Sequence, residues 1–253
     1  MPSSPDTRRL RPLPRWACVA AALMTPLAAL AAACEARSGP VAPRLVELYT
    51  SEGCSSCPPA DRWLSGLSGR SDVVALSFHV TYWDRLGWPD RFAQPAFTER
   101  QRARVAASGA RQLYTPQVTA DGRDWTRWPD LPPPATAPLD LWLRSDGSTV
   151  TVGVTRRPEA RGPFPATIAG HWVLLEDGHR SDVRAGENAG ATLRHDHVVR
   201  HLQPVAPWPA VGESRWTWQP PATAAPPGVR RRVAFIVEDP ATGQPLQALA
   251  LAC

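Results

Sequence analysis

The chain has 253 residues and a formal charge of +5, and all 28 of its basic residues are arginine. Residues 1–33 hold four of those arginines and Asp6, so the rest of the chain carries 24 arginines against 22 carboxylates, a charge of +2. A charge that small excludes the basic footprint of a nucleic-acid-binding protein. The uniform use of arginine, with abundant Ala, Pro and Trp, reads as the mark of a genome rich in guanine and cytosine.

From the start of the chain, Met1 to Arg15 carries the four arginines, and Trp16 to Ala33 is an apolar, alanine-rich run ending in small residues. This is the pattern of a secretory signal peptide over 1–33. Pro26 and a shortage of strong hydrophobes make a stable membrane span the weaker reading. Thr7-Arg8-Arg9 suggests twin-arginine export, and Ala31 and Ala33 both suit cleavage. A lipoprotein at Cys34 is a poor alternative, because Leu30 lies one place too far away. The expected location is the periplasm or the exterior. Cys18 leaves with the signal, while Cys34 and Cys253 remain at opposite ends, where an oxidising compartment could pair them.

Leu45 to Asp61 joins an apolar run suited to a buried strand to Cys54-Ser55-Ser56-Cys57 and a proline-led helix start. Pro58 and Pro59 fit the first helical turn, which has no use for their missing amides. Free amides and the positive end of a helix stabilise a thiolate, and a two-residue spacing lets a second thiol attack a mixed disulfide formed by the first. Cys54 is the expected exposed nucleophile and Cys57 the resolving thiol. The plainer readings are a static disulfide or half a zinc site, and the latter lacks a second Cys-x-x-Cys or Cys-x-x-His.

Val73 to Val80 is a second buried-type run, with Asp61 to Leu67 as the crossover helix between parallel strands. Ligands of open α/β sheets gather at the C-terminal strand edge, so His79, Tyr82, Trp83 and Asp84 are expected near Cys54. His79 would stabilise the thiolate or relay a proton; the alternative is a hydrogen-bonded ring capping a strand. Thr98 to Gln101 has capping-box form for a helix ending at Ser108 before Gly109, and Arg100, Arg102 and Arg104 read as a solvated face. Five prolines make Trp128 to Pro138 a stiff linker, set at 129–138. Beyond it, Leu139–Arg144 and Thr149–Thr155 flank the turn Asp146-Gly147. Thr167–Glu176, Arg215–Trp218, Arg231–Glu238 and Leu246–Leu251 add strands. His195, His197 and His201 form a weak metal candidate without supporting carboxylate or cysteine spacing.

Glu47 to Asp61, then Leu76 to Val80 with Tyr82-Trp83-Asp84 and Gly87-Trp88, Glu99 to Arg102, and Tyr114-Thr115-Pro116-Gln117 resemble the secreted bacterial thioredoxin-like family catalogued as domain of unknown function 1223. Gly186 to Gly190, Leu193 and Val198 to Arg200 resemble it too, without a readable role. The strand runs over 139–253 read as a mainly β C-terminal domain, a sandwich or half-barrel, and the resemblance implies an α/β thioredoxin-like N-terminal domain over 41–128. It also implies a cis Pro116 opposite the dithiol, with Thr115 presented to an extended peptide, strand Gln117–Ala120 antiparallel to Leu45–Tyr49, and Tyr82 and Trp83 at the substrate. Glu47 stands near the place of a buried acid that exchanges protons with the resolving thiol; pairing with an arginine is the equal alternative. After Asp121-Gly122 the closing helix of such a fold is missing, replaced by Trp125, Trp128 and prolines.

The expected function is a periplasmic or secreted thiol-disulfide oxidoreductase acting on protein or peptide thiols through Cys54 and Cys57, with Pro116, Glu47 and His79 in support. It needs no cofactor, no resident metal and no nucleic acid, and its oligomeric state is open. The alternative is an envelope protein that binds copper or a thiol ligand through the dithiol and His79 without redox turnover.

Overall fold

The computed structural model describes residue 1 and residues 34–108 and 112–251. The signal peptide, its export, cleavage and lipidation signals, the Gly109 helix stop and the pairing of Cys34 with Cys253 fall wholly or partly outside the described residues.

In chain order come the strands β1 (Cys34–Arg37), β2 (Val41–Ala42) and β3 (Arg44–Thr50), helix α1 (Pro58–Ser65), strand β4 (Val73–His79), a 3-10 turn (Thr81–Leu86) and helix α2 (Pro95–Ser108). Strands then follow without further helix: β5 (Gln117–Ala120), β6 (Arg123–Asp124), β7 (Ala135–Thr136), β8 (Leu139–Ser145), β9 (Val150–Arg156) and β10 (Thr167–Asp177). The last six are β11 (His179–Asp182), β12 (Thr192–His195), β13 (Val198–Pro209), β14 (Glu213–Trp218), β15 (Arg230–Glu238) and β16 (Pro245–Leu251).

Strand makes up 44% and helix 13% of the described residues, which overturns the expected α/β thioredoxin-like N-terminal domain. One sheet has eight strands in the order β16-β15-β10-β13-β4-β3-β5-β6, and a second has four in the order β1-β8-β9-β14. The larger sheet takes strands from both sides of 129–138, and all of 34–251 lies in one compact unit. The join is at β4, where β13 runs parallel with Val198 opposite Ser77. Burial is the reason. Every β4 residue is buried, and a strand apolar on both faces needs a neighbour along each edge. The smaller sheet packs on the outer half of the larger through Leu141, Val152, Trp172 and Phe235.

Around the cysteines, β3 and β4 are parallel in the register Arg44 opposite Val73 to Thr50 opposite His79. On the other side β5 is antiparallel to β3, the direction the family resemblance implies, with Tyr49 opposite Gln117. Side chains of a strand alternate between its faces. Leu45, Tyr49, Leu76 and Phe78 therefore meet Phe97 of α2 and the inner residues of β10, β15 and β16. Val46, Leu48 and Ala75 face the other way, under Ala60 and Leu64 of α1. Trp125, Trp128 and Leu131 complete that second cover, with the Trp128 ring 5.0 Å from that of Trp63. The tryptophan- and proline-rich stretch thus joins α1 in covering that face of the sheet.

Helix α2 begins at Pro95, three residues ahead of the expected Thr98 cap. The Thr98 hydroxyl instead accepts the Thr81 amide at 3.1 Å, tying the 3-10 turn to α2.

Candidate functional site

After β3 the chain turns through Ser51, Glu52 and Gly53. A Cβ on Gly53 would lie 3.2 Å from that of Trp83, so glycine lets the turn press against the indole. Cys54 and Cys57 follow and form a disulfide. Cys57 is the residue before α1, has helical backbone angles, and its carbonyl accepts the amides of Ala60 at 2.9 Å and Asp61 at 3.1 Å.

Both cysteines are 0% exposed, while Ser55 and Ser56 between them face solvent. The expectation of an exposed Cys54 is therefore corrected: its sulfur is covered. The Thr115 hydroxyl donates to Cys54 Sγ at 3.3 Å, and the Trp83 indole N–H donates to that hydroxyl at 2.7 Å. The Thr115–Pro116 bond is cis. Tyr82 lies beside Trp83, their rings 6.5 Å apart, and burial raises its phenol above the usual range.

The rest of the cover is the loop 183–191, between β11 and β12. Asn188 Nδ2 donates to the carbonyls of Glu52 and Cys54, each at 2.9 Å. The Glu187 carboxylate accepts the Ser55 amide at 3.0 Å, and bonding to Ser55 lowers its pKa. This gives the glycine-flanked stretch 186–190 a place, directly over the disulfide.

Beneath the disulfide lies a polar cluster whose position follows from strand alternation. Thr50 and His79 share the face of β3 and β4 that α1 covers. His79 Nδ1 is 2.6 Å from Asp90 Oδ2, and Asp90 also accepts the amides of Glu52 and Phe92, both at 2.9 Å. Trp88 donates to Glu52 Oε2 at 2.8 Å, and His195 Nε2 is 3.2 Å from Glu52 Oε1. The rings of His79 and His195 stand edge to face, 5.0 Å apart. Burial pushes Asp90 up, but the His79 charge, its hydrogen bond and the two amides outweigh that and bring Asp90 to about 2. Burial pushes His79 down, and Asp90 outweighs it, so His79 is held above its usual value. Asp61 has no such partner, and burial raises it, the nearby His195 and His79 offsetting only part. Asp61 Oδ1, Thr50 Oγ1, His79 Nε2 and His195 Nδ1 have no hydrogen-bond partner among the described residues.

A family model described as "Protein of unknown function (DUF1223)" matches residues 45–238. The chain belongs to that family. Among solved structures it is similar to protein AGR_C_4864 from Agrobacterium tumefaciens, at 24% identity and a TM-score of 0.65, over 85% of this chain and 96% of that one. It is also similar to HBP35 of Porphyromonas gingivalis, at 12% identity and a TM-score of 0.55, over 84% and 76% of the two chains. At these identities the likeness is one of fold. No curated protein matches this DUF1223 chain in sequence.

Three sequence expectations for this DUF1223 chain change. Glu47 faces away from α1, accepting from Arg100 Nη2 at 2.6 Å, Arg104 Nε at 2.7 Å and Thr119 Oγ1 at 3.2 Å. Burial alone would raise it, but the two guanidinium groups outweigh burial and hold it at about 2, so the proton-exchanging reading gives way to arginine pairing. Arg100 and Arg104 are accordingly buried with it, Arg104 also reaching Glu238 at 3.1 Å; Arg102 alone of the three is exposed. The three histidines part company: His195 joins the cluster under the disulfide, His197 bonds Arg232 and Ser68, and His201 stacks on Trp218. Among the described residues no three His, Cys, Asp or Glu side chains converge to hold a metal ion. Asp61, Glu52, Asp90, Glu187 and Asn188 were not picked out from sequence as site residues, and His195 was singled out only as a weak metal candidate. Only Asp61, four residues after Cys57 and so one helical turn along, carried a readable signal.

Proposed function

We propose that this DUF1223 protein exchanges disulfides through Cys54 and Cys57, acting on protein or peptide thiols in the cell envelope or outside the cell. The observation that carries the reading is the setting of the sulfurs: a hydroxyl bonded to Cys54 Sγ, a helix start at Cys57, and a loop as cover. An incoming thiolate bonds to Cys54 Sγ, the Cys54–Cys57 bond breaks, and its electron pair leaves on Cys57. The dipole at the start of α1 stabilises that thiolate. The resulting mixed disulfide at Cys54 is attacked by a second substrate thiolate, which leaves the substrate oxidised and the protein reduced. When Cys57 attacks Cys54 instead, the first step is reversed.

Because both sulfurs are buried, a substrate must displace the Glu187–Asn188 cover before it reacts. Thr115 then lies beside the reacting sulfur, its carbonyl already near Ser56 Oγ at 3.5 Å. The signal-peptide pattern over 1–33 and an intramolecular disulfide both favour an oxidising compartment. The test is trapping with a thiol-bearing peptide. Cys57→Ser is expected to accumulate mixed disulfides and Cys54→Ser to form none; equal exchange by the parent protein and Cys54→Ser would overturn the proposal.

A further inference from the structure

We infer that Asp61 is the group that exchanges a proton with Cys57, an inference that rests on the exchange reading above. Cys57 and Asp61 are four residues apart in one helical turn, joined by the Asp61 amide to the Cys57 carbonyl at 3.1 Å. Residues at this spacing share a face, with Cβ atoms about 5–6 Å apart, and helical side chains lean back toward the N-terminus, here toward the disulfide. Both are withdrawn from water, Cys57 wholly and Asp61 to 7% exposure.

A buried carboxylate that serves the fold is paired, as Glu47 is with two arginines. Asp61 instead has no arginine partner: it lies beside the Thr50 hydroxyl of β3, His79 of β4 and His195 of β12, the last held against Glu52, and its Oδ1 makes no hydrogen bond among the described residues. The other charges around it are those of Asp90 and Glu52 in the loops after β4 and β3, and these are engaged by His79, Trp88 and backbone amides. Burial holds the Asp61 carboxyl above the usual carboxylate range, the direction that favours a carboxyl able to give up a proton and take it back.

The step balances. When a substrate thiolate bonds to Cys54 and the protein disulfide breaks, Cys57 leaves as a thiolate and takes the proton of the Asp61 carboxyl. In reverse, the Asp61 carboxylate removes the Cys57 proton, Cys57 attacks Cys54 in the mixed disulfide, and the substrate leaves as its thiolate.

The experiment follows Cys57 attacking a Cys54–glutathione mixed disulfide across pH. Asp61→Asn should slow it about a hundredfold and remove one ionisation from the profile, within the range a positioned acid–base group supplies. An unchanged rate and profile would overturn the inference. In the unmutated protein with ¹³C-labelled Asp carboxyls, chemical reduction of the disulfide should move the Asp61 titration, because a thiol or thiolate then forms beside it. A titration blind to the redox state would overturn the inference even if Asp61→Asn fails to fold. If the parent protein forms no mixed disulfide with glutathione yet its Asp61 titration moves on reduction, the exchange reading fails while the Asp61–Cys57 coupling stands.

Discussion

Glu47 and Asp61 are buried carboxylates on opposite faces of the same strands, and their surroundings differ in kind. On the α2 face, Glu47 accepts bonds from Arg100, Arg104 and Thr119. On the α1 face, Asp61, His79 and His195 hold ring nitrogens and a carboxyl oxygen with no partner. Withdrawing a charge from water costs several kcal/mol, which a structural site offsets by pairing. A cluster that leaves polar atoms of Asp61 and His79 unpartnered beside a disulfide is where the fold tolerates that cost for chemistry.

Stability measurements can break this contrast. Arg104→Met leaves Glu47 short of a partner in the core and should lose about 3–5 kcal/mol, read from urea unfolding. Asp61→Asn should leave stability at pH 7 unchanged or higher, since it removes a carboxyl whose charge the fold disfavours. A loss of several kcal/mol for Asp61→Asn, or under 1 kcal/mol for Arg104→Met, would contradict the assignment of roles.

Acid titration sharpens it. Glu47 falls from 4.5 to about 2 on folding, so its contribution is present above pH 4.5 and is lost as pH falls toward 2. His197 is lowered from 6.5 to about 4, burial first and Arg232 second, so the fold prefers it neutral and loses stability as pH drops from 6.5 to 4. Asp61 works the other way, its raised pKa favouring the protonated form in the fold. Unfolding midpoints should therefore decline in two stages below pH 6.5. In Glu47→Gln the lower stage should shrink to the part that Asp90, also held at about 2, contributes, and an undiminished lower stage would show that Glu47 is not among the groups lost.

The smallest effect is expected at the loop cover. Asn188→Ala removes two hydrogen bonds to the cysteine turn, worth about 1–2 kcal/mol together, and tenfold in opening follows from each 1.4 kcal/mol. Alkylation of the reduced thiols should speed up about tenfold, with little change in global unfolding. An unchanged alkylation rate would mean that something other than 183–191 limits access.

Local patterns made much of the site's floor plan readable. The apolar runs at 45–49 and 73–80 gave the parallel strand pair, Cys54-Ser55-Ser56-Cys57 the turn, and Pro116 the strand entry. The larger sheet was hidden because β13 meets β4 through a single register pair far away in sequence. Whether Glu47 neighbours the cysteines depends on which face of β3 α1 covers, and alternation alone leaves that choice open. Arg100 and Arg104, one helical turn apart, look like a solvated stripe until Glu47, 53 residues earlier, is seen between them. The Asn188 contact to Cys54 spans 134 residues, and no local pattern announces it.

The central claim is that the Cys54–Cys57 disulfide reacts reversibly in the folded protein. Equilibrating it with graded glutathione or dithiothreitol buffers, and reading thiols and folded structure together, tests this directly. The account predicts reversible reduction with the fold intact, at a potential between about −120 and −270 mV, the span of exchange-active dithiols. Reduction only below about −300 mV, or only together with unfolding, would mark a structural disulfide and contradict it.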